Sequence, residues 1–400
     1  MGRARFSSST DAMLEVEAAS SAPEACAALS EAFAGLRAAS ARDVVARLGR
    51  DQGYRIEDLV RIEARGVALT DVAVAHAWLR RRLPPSASIE IVPRGPDDRG
   101  ESSLVLTALL APRADERART YAPASGKLDV ESVELHIVEH CNLRCAQCCN
   151  VSPYLSERVM SVDDVAQTCA RLREVTRPAV LKLMGGEPLL HPDLAGVLRA
   201  VRASGVAPRV RLFTNGLLLR SVPNETFALL DELTVSSYAS APVKPEILAE
   251  TEERARRFDV VLNVKDVATF TTVLSARAND DEASQRAYDT CWLRHRCLVV
   301  RGGVFYKCTR AAYHTEFHAR VDLGGAPGAV AGADEAEALQ RSLGIPLDAV
   351  DFVDRAAAYL SAAEALPSCR HCHGSAGPLA PHVQLRRRDV ARGLLAPEPR

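Results

Sequence analysis

From residue 131 onward, short apolar strands alternate with helical stretches. Segments with apolar residues at helical spacing, the first over 161–175, lie between runs typical of buried strands at 133–138, 179–184, 209–213, 232–237 and 260–264. Strands at this spacing, joined by helices, predict an α/β fold with a parallel sheet. At least five such units predict an open or partial barrel, in which the chemistry lies at the carboxyl ends of the strands.

Length and charge narrow the possible classes of protein. The chain has 400 residues, enough for two or three domains, and 50 basic residues balance 51 acidic ones. This balance argues against a nucleic-acid or membrane partner held by bulk charge. The longest run of apolar type, Leu104–Ala111, is far shorter than the ~18 residues of a membrane span, and the first residues lack the apolar core of a secretory signal. We therefore expect a cytoplasmic protein.

Residues 1–125 contain no cysteine group and predict a small α+β domain whose role the sequence does not indicate. Its predicted elements are a helical region over 11–50, an amphipathic helix over 68–83, and strands at 88–92 and 102–110. The polar stretch 112–130, with Pro, Gly and Ser, predicts a linker.

Eleven cysteines are the second strong constraint. In a reducing compartment disulfides are rare, and cysteines more often bind metal or take part in chemistry. Nine of them are clustered, at positions 141, 145, 148 and 149, then 291, 297 and 308, then 369 and 372. Cys26 and Cys169 stand apart in helical patterns, and we expect both to be small buried hydrophobic residues.

The first cysteine group follows the first strand of the alternating region. Cys141, Cys145 and Cys148 form a C-x3-C-x2-C pattern. Three thiolates can hold three irons of a [4Fe–4S] cube and leave the fourth iron open for a chelating cofactor. Zinc is the alternative, with His140 or Cys149 as a fourth ligand. This loop alone does not decide between them.

The next strands also end in polar or glycine-rich turns. The second ends in Gly185-Gly186-Glu187, where the glycines allow close approach of a ligand and Glu187 offers an acceptor for an ammonium group. The third ends at Thr214 in the sequence FTNG, and the fourth at Ser236 and Ser237. Each of these would be an ordinary turn if taken singly.

Together, CNLRCAQC, GGEP, FTNG and VSSY at successive strand ends resemble the radical S-adenosylmethionine (radical SAM) superfamily, over about residues 131–270. The resemblance implies a partial (β/α)6 TIM-type barrel, assigned here to 131–290, with a [4Fe–4S] cluster on Cys141, Cys145 and Cys148. It implies that the open iron binds the amino and carboxylate groups of S-adenosylmethionine. Further contacts with that cofactor are implied for Gly185, Gly186 and Glu187 and, more weakly, for Thr214, Ser236 and Ser237.

The family's chemistry and one departure from its pattern follow from the same resemblance. An electron from an external donor such as flavodoxin or ferredoxin cleaves the sulfonium, and the resulting 5′-deoxyadenosyl radical takes a hydrogen atom from the substrate. The family usually has an aromatic residue directly before the third cysteine, where this chain has Gln147. In the family that aromatic residue helps to pack the adenine, so the motif does not identify which residue of this chain makes the contact.

The second cysteine group begins in a predicted hairpin over 297–308. Gly302-Gly303 is a two-residue turn signal, which pairs Arg301 with Val304 and places Cys297 opposite Cys308. Directly opposed side chains share a face of the hairpin, so the two sulfurs should converge. A disulfide, a zinc site and an iron–sulfur cluster are all possible, and Cys369-x2-Cys372 supplies further thiols.

The spacing C-x11-G-x4-C from Cys291 through Gly303 to Cys308, followed by C-x2-C, resembles the twitch domain, a shorter relative of the SPASM domain. We assign 291–376 to it and 377–400 to a C-terminal tail. The resemblance implies a second, auxiliary [4Fe–4S] cluster on Cys291, Cys308, Cys369 and Cys372, whereas the hairpin register favours Cys297 as a ligand.

If Cys297 does not bind the cluster, it is a candidate hydrogen-atom donor. Radical SAM epimerases of carbohydrates give this role to a cysteine, and Cys149 is the alternative candidate.

These features predict a radical SAM oxidoreductase or epimerase that acts on a sugar or aminocyclitol in natural-product biosynthesis. The alternative is a maturase that modifies a peptide substrate bound through residues 1–125. Leader-binding modules commonly begin with three strands, and the helices predicted first in this region argue against that alternative. Lys265 and Asp266 could hold a hydroxylated substrate or form a surface charge pair. A third class is a zinc-braced binding protein without enzymatic activity.

Overall fold

The computed structural model describes residues 3–8, 12–19, 59–67, 88–93, 103–110, 126–324 and 332–397. The chain divides into two compact units, Met1–Arg117 and Ala118–Arg400. Within the described residues, no helix is both long enough and apolar enough to cross a membrane.

The described part of the first unit is a five-stranded sheet in the order β1-β2-β5-β3-β4. Neighbouring strands are antiparallel except β3 and β4, which run parallel. The strands are β1 Arg3–Ser8, β2 Ala12–Ala19, β3 Leu59–Val67, β4 Ser88–Pro93 and β5 Ser103–Leu110. Strands β4 and β5 confirm the strands predicted at 88–92 and 102–110.

The prediction of helix over 11–50 is wrong at 12–19, which is β2. The reason is visible in the sequence, where Leu14 and Val16 alternate with Glu15 and Glu17 at the period of two that a strand requires. The unit therefore begins with strands, and the expectation that helices come first is also wrong. Residues 20–50, the helix predicted over 68–83, Cys26 and the linker residues 112–125 lie outside the described residues.

The second unit is built on an eight-stranded sheet in the order β10-β9-β8-β7-β6-β12-β13-β14. Its strands are β6 Leu128–Val138, β7 Thr176–Gly185, β8 Arg209–Thr214, β9 Glu232–Tyr238, β10 Val261–Val267, β12 Val299–Arg301, β13 Val304–Tyr306 and β14 Ile345–Pro346. Strands β6 to β10 are parallel and adjacent in chain order, as predicted. A sixth parallel strand, β12, joins on the far side beside β6 rather than after β10.

Helices connect the parallel strands and cover one face of the sheet. The α-helices span Val162–Val175, Leu194–Ser204, Asn224–Ala228, Pro245–Arg257, Asp281–Asp289, Thr309–Ala312, His314–Arg320, Ala333–Ser342, Phe352–Ser361 and Arg387–Ala391. The first begins at a capping box in which Ser161 and Asp164 satisfy each other's backbone amides. It buries Cys169 completely, as predicted for an isolated cysteine.

The two faces of the sheet differ in chemistry. Leu135 and Ile137 of β6 pack into the apolar core formed with the helices. Glu134 and His136, which alternate with Leu135 and Ile137 in sequence, point to the other face because consecutive side chains of a strand alternate. Both are buried, and Lys182 of β7 lies beside Glu134 in register. The inner face of the partial barrel therefore contains a buried layer of charged groups.

The predicted boundaries shift where the chain packs. Strand β6 begins at Leu128, inside the stretch expected to be a linker. The residues expected to form a tail are part of the unit: β15 Leu379–Pro381 pairs with β11 Thr269–Thr271, and Leu385 and Leu395 are buried in a second apolar cluster. Since β12 pairs with β6, the large sheet crosses the boundary predicted at residue 290.

Candidate functional site

The carboxyl ends of β6 to β9 surround a cavity of about 320 Å³, the first cavity. It brings together most of the site residues predicted from the sequence, namely Cys141, Cys145, Cys148, Gly185, Gly186, Glu187, Thr214 and Ser236. Ser237 does not line it; its hydroxyl instead accepts a hydrogen bond from the Val243 amide, because it faces the opposite side of β9. Neither Lys265 nor Asp266 is among its lining residues.

Of the three cysteines of the first group, Cys145 is buried and Cys141 and Cys148 are half-buried, and their sulfurs accept hydrogen bonds. The Leu143 amide lies 3.4 Å from Cys141 Sγ, and Gln384 Nε2 lies 3.5 Å from Cys145 Sγ. Burial raises the pKa of Cys141 and of Cys145 to about 12, and it also raises the pKa of Cys148. Metal binding must therefore displace these protons, and the N–H donors favour the thiolates once they form.

Gly185 and Gly186 are required by the crossing of two backbones. Gly185 has a φ of +131°, and a Cβ there would lie 2.1 Å from the Val138 carbonyl oxygen. A Cβ on Gly186 would lie 1.9 Å from the His140 carbonyl oxygen. The glycines thus let the end of β7 lie directly against the loop that carries the first cysteines, in addition to lining the cavity.

Glu187 is held rigidly at the end of β7. Its carboxylate accepts hydrogen bonds from the Thr214 hydroxyl at 2.7 Å, the Asn215 amide at 2.8 Å and the Leu189 amide at 2.9 Å. The side chain is buried, and burial raises its pKa to about 7 against the opposing effect of these donors. A cation in the cavity would favour the charged form of this carboxylate.

Gln147 occupies the position where the family usually has an aromatic residue. Its φ is +63°, and its side-chain oxygen accepts a hydrogen bond from the Leu274 amide at 2.9 Å. Aromatic surface in the first cavity comes instead from Phe213 and from the neighbouring pair Tyr238 and Phe270. The rings of this pair meet edge to face at 5.5 Å, and His382 stacks on Tyr238 at 4.5 Å.

A second, smaller cavity of about 80 Å³ collects the other cysteines. Cys291, Cys297, Cys308, Cys369 and Cys372 all line it, together with Cys149. The predicted hairpin is present, and Arg301 pairs with Val304 as expected, although the paired residues end at Val299 and Tyr306. The described cysteines are all free thiols.

Four of these cysteines, Cys291, Cys308, Cys369 and Cys372, influence one another electrostatically. Burial, together with the neighbouring thiols, raises the pKa of Cys308 and of Cys369 to about 12. The Cys369–Cys372 turn is held by Asn279, whose Nδ2 donates to the Cys369 and Cys372 carbonyl oxygens at 2.9 and 3.0 Å. No group of three or more His, Cys, Asp or Glu side chains in the described ranges is arranged to hold a single metal ion.

The two cavities share part of their walls. Cys149, Val273 and Leu293 line both of them. Cys149 is an exposed residue, and it lines both cavities. Cys297 lines the second cavity and is not among the residues of the first.

Arg310 lies next to the second cavity at the start of a short helix, directly after the hairpin. Its side chain is 6% exposed, and its guanidinium stacks on Phe317 at 4.4 Å. Burial lowers its pKa, while Cys372 and Cys308 of one cysteine group and Cys149 and Cys148 of the other oppose that shift. The guanidinium therefore lies within electrostatic reach of both groups.

Several site residues were missed by the sequence analysis. Asn215 follows Thr214 in the FTNG turn; its Nδ2 donates to Asn142 Oδ1 at 2.6 Å and lies 3.7 Å from Cys141 Sγ. Asn150 donates to the Gly185 carbonyl oxygen. The quoted motif contained Asn215, so a signal existed for it. Gln384 and Asn279 are far from any motif in sequence, and only the fold brings them to the cysteines.

Residues 135–262 match the family model described as "Radical SAM superfamily". They include the cysteine loop and the ends of β6 to β9 that surround the first cavity. The fold and the site define a partial α/β barrel with its cysteine loop at the strand ends. Residues 135–262 therefore form a domain of the radical SAM superfamily, whose members use a [4Fe–4S] cluster and S-adenosylmethionine.

Curated relatives match only part of the chain. The GTP 3′,8-cyclase of Streptomyces coelicolor is 30% identical over 168 residues, which cover 38% of this chain and 47% of that protein. The GTP 3′,8-cyclase of Lactiplantibacillus plantarum is 32% identical over 108 residues, covering 26% and 32%. The chain thus spans less than half the length of these relatives.

Solved structures show weaker similarity. The structure of BtrN in complex with AdoMet and 2-DOIA is 16% identical with a TM-score of 0.33, covering 54% of this chain and 87% of that one. The structure of Streptococcus suis SuiB bound to precursor peptide SuiA is 13% identical with a TM-score of 0.29, covering 48% and 43%. Scores this low carry no argument about substrate.

Proposed function

We propose that this radical SAM enzyme oxidises or epimerises a hydroxyl-bearing carbon of a sugar or aminocyclitol, with an auxiliary cluster beside the S-adenosylmethionine site. The observation that carries the proposal is the pair of cysteine-lined cavities that share Cys149, Val273 and Leu293. An acceptor for an electron would then lie next to the site of hydrogen abstraction. Residues expected to supply both functions are present in one unit of the chain.

In the first cavity, Cys141, Cys145 and Cys148 would hold the cluster that supplies the electron for S-adenosylmethionine cleavage. Asn215 and Gln384 donate toward two of these sulfurs and so favour the charged, metal-bound thiolates. The rigid carboxylate of Glu187 is suited to the ammonium of the methionine part. Tyr238 and Phe270 offer the aromatic surface for adenine that Gln147 does not.

In the second cavity, Cys291, Cys308, Cys369 and Cys372 would hold the auxiliary [4Fe–4S] cluster. A zinc ion would require four sulfurs about 2.3 Å from a single point, whereas a cube binds each thiolate at a different corner. The cysteine spacing that resembles the twitch domain supports a cluster over zinc and over the zinc-braced, non-enzymatic alternative.

For oxidation, the substrate carbon loses a hydrogen atom to the 5′-deoxyadenosyl radical. The hydroxyl on the resulting carbon radical then loses its proton to solvent, and the radical gives one electron to the auxiliary cluster, which yields a ketone. For epimerisation, a thiol instead returns a hydrogen atom to the opposite face of the carbon and becomes a thiyl radical. Cys149 is better placed for that role than Cys297, because Cys149 lines the first cavity and Cys297 does not.

A peptide substrate is the second candidate, favoured by one observation. The first unit begins with β1 and β2, so the objection that helices come first no longer holds. Its five-stranded sheet could bind a leader peptide by strand addition.

For either substrate we propose a reducing, cytoplasmic setting, which the free thiols of the described cysteines support. We further propose a flavodoxin or ferredoxin as the electron donor.

The test is S-adenosylmethionine cleavage by the anaerobically reconstituted full-length protein. With reductant, it should release methionine and 5′-deoxyadenosine, and Cys145→Ala should abolish both. Candidate substrates deuterated at carbon are then compared: aminocyclitols, a leader-containing peptide and GTP. The proposal requires deuterium to move from an aminocyclitol or sugar into 5′-deoxyadenosine; transfer only from peptide or GTP would refute it. Deuterium entering the product from heavy water would indicate epimerisation, and ketone formation would indicate oxidation.

A further inference from the structure

Arg310 is a buried cation without a conventional partner. The ion pairs of the described residues include none between its guanidinium and a carboxylate, and its Nε has no hydrogen-bond partner there. Its one side-chain hydrogen bond runs from a terminal nitrogen to the Cys149 carbonyl oxygen and is long, at 3.4 Å. Arginine stays protonated in proteins, so the charge is present.

Such a charge is costly to bury unless something negative lies nearby. A charged carboxylate usually serves this purpose. Arg301, for comparison, pairs with both Glu139 and Glu316, at 2.8 and 2.5 Å. Arg310 instead lines the second cavity together with its cysteines, and its terminal nitrogen donates to the carbonyl oxygen of Cys149, the residue after Cys148. The sulfurs of both cysteine groups oppose the lowering of its pKa by burial. Its environment becomes complementary only when those sulfurs carry negative charge.

We propose that Arg310 is the shared counter-cation of the two iron–sulfur clusters and that its charge raises the reduction potential of both. This inference rests on the auxiliary cluster of the proposed function. Clusters held by thiolates are anionic and gain a further negative charge on reduction, so a fixed cation nearby favours the reduced state. Arg310 lines the second cavity and not the first, so the auxiliary cluster should respond more.

The experiment is a redox titration of the reconstituted holoenzyme, followed by electron paramagnetic resonance, for wild type, Arg310→Met and Arg310→Lys. A unit charge about 8 Å away, at an effective dielectric constant near 20, changes an equilibrium by more than about tenfold. At a fixed applied potential, Arg310→Met should therefore lower the ratio of reduced to oxidised auxiliary cluster by a factor of about ten or more. This corresponds to a decrease of about 59 mV in the midpoint potential of that cluster. The first cluster should shift in the same direction by less. Arg310→Lys, which keeps the charge, should retain most of the wild-type potential.

Arg254→Met is the control, because Arg254 also stacks on a phenylalanine, at 4.1 Å, but lines neither cavity. It should leave both potentials unchanged. If the wild type holds only one cluster, the proposed function fails in its auxiliary part. If both clusters assemble and Arg310→Met does not shift them, or Arg310→Lys shifts them as far, the inference fails while the proposed function stands.

Discussion

At the residue scale, the glycines at the end of β7 show that sequence motifs can serve the protein's own packing. The GGEP sequence predicts close approach of a ligand. In the structure, the atoms that exclude a side chain at Gly186 are backbone oxygens of His140 and Glu139. Glu187, the next residue, is held by three hydrogen bonds from the neighbouring strand end and the following turn. The motif thus locks two strand ends together around the cysteine loop.

Gly186→Ala should therefore prevent normal assembly of the site. The new Cβ meets backbone that cannot move without shifting the cysteine loop, so we expect a loss of more than about 3 kcal/mol in unfolding free energy. Urea unfolding and iron content after reconstitution measure the two effects. Gly302→Ala is the control: its φ is +56° but nothing lies within 4 Å of the new Cβ, so only about 1–2 kcal/mol of backbone strain is expected. Equal losses in both variants would contradict the crowding argument.

His314 makes a second residue-scale prediction, for pH dependence. Burial lowers the pKa of His314 to about 4, and the neighbouring His318, Arg310 and His371 lower it further. The folded state thus disfavours protonation. The contribution to stability is complete above the unfolded pKa of about 6.5 and is lost as the pH falls from there to about 4.

His314→Gln should remove that dependence. A depression of this size corresponds to roughly 3 kcal/mol, so the stability of wild type should fall by about that much more than that of the variant between pH 6.5 and pH 4. Urea unfolding at several pH values measures the difference. Arg320→Gln, an exposed change in the same helix, should follow wild type. Parallel pH curves for wild type and His314→Gln would show that the histidine is not responsible.

At the element scale, the register of β6 against β7 places one charge opposite another inside the partial barrel. Glu134 and Lys182 are paired in the ladder, their side chains lie 3.3 Å apart, and both are 3% exposed. Burial raises the pKa of Glu134, but Lys182 and His136 outweigh it and hold that pKa below its usual value. The pair is therefore ionised, and each partner depends on the other.

Lys182→Met should cost about 3–5 kcal/mol, because it leaves the Glu134 charge buried without its cation. Adding Glu134→Leu should recover much of that loss, since two apolar residues need no compensation. Chemical denaturation of wild type, both single variants and the double variant gives the coupling energy. Additive losses would mean that the two side chains do not act as a pair.

At the scale of the whole molecule, the C-terminal segment reaches both cysteine groups. Gln384 reaches a thiol of the first group, and Cys369 and Cys372 line the second cavity. Two distant parts of the chain therefore meet at one end of the sheet, and the metal content of the protein reports whether they do so as proposed.

Reconstituted protein should contain about eight irons per chain, which corresponds to two four-iron clusters. The double variant Cys369→Ser, Cys372→Ser should contain about four, because only the second cavity loses ligands. Iron analysis and absorbance of the purified chain measure this. Cys169→Ala, in the apolar core, should keep about eight. Four irons in wild type, or eight in the double variant, would exclude the second cluster as assigned.

The parallel strands, their order and the first cysteine site were predictable because their signals are local. Each strand is a short apolar run, and each site residue directly follows one. The failures have equally local causes: 12–19 was assigned to helix because its alanines outweighed the alternation of Leu14 and Val16 with glutamates. The position of β12 beside β6 was not predictable, since strand pairing across 160 residues leaves no periodic trace in the sequence.

By itself, the sequence determined the class of this protein: cysteine spacing, strand periodicity and the glycine turn identify a radical SAM core, because chemistry and backbone conformation demand those residue types at those places. Only the tertiary structure decided which distant groups share a site. Gln384 reaches Cys145, Asn279 holds the Cys369–Cys372 turn, and Arg310 lines the second cavity while donating to the Cys149 carbonyl oxygen, because packing of the whole unit brings them there. Contacts between residues far apart in the chain depend on the summed burial of many side chains, and no short segment encodes that sum.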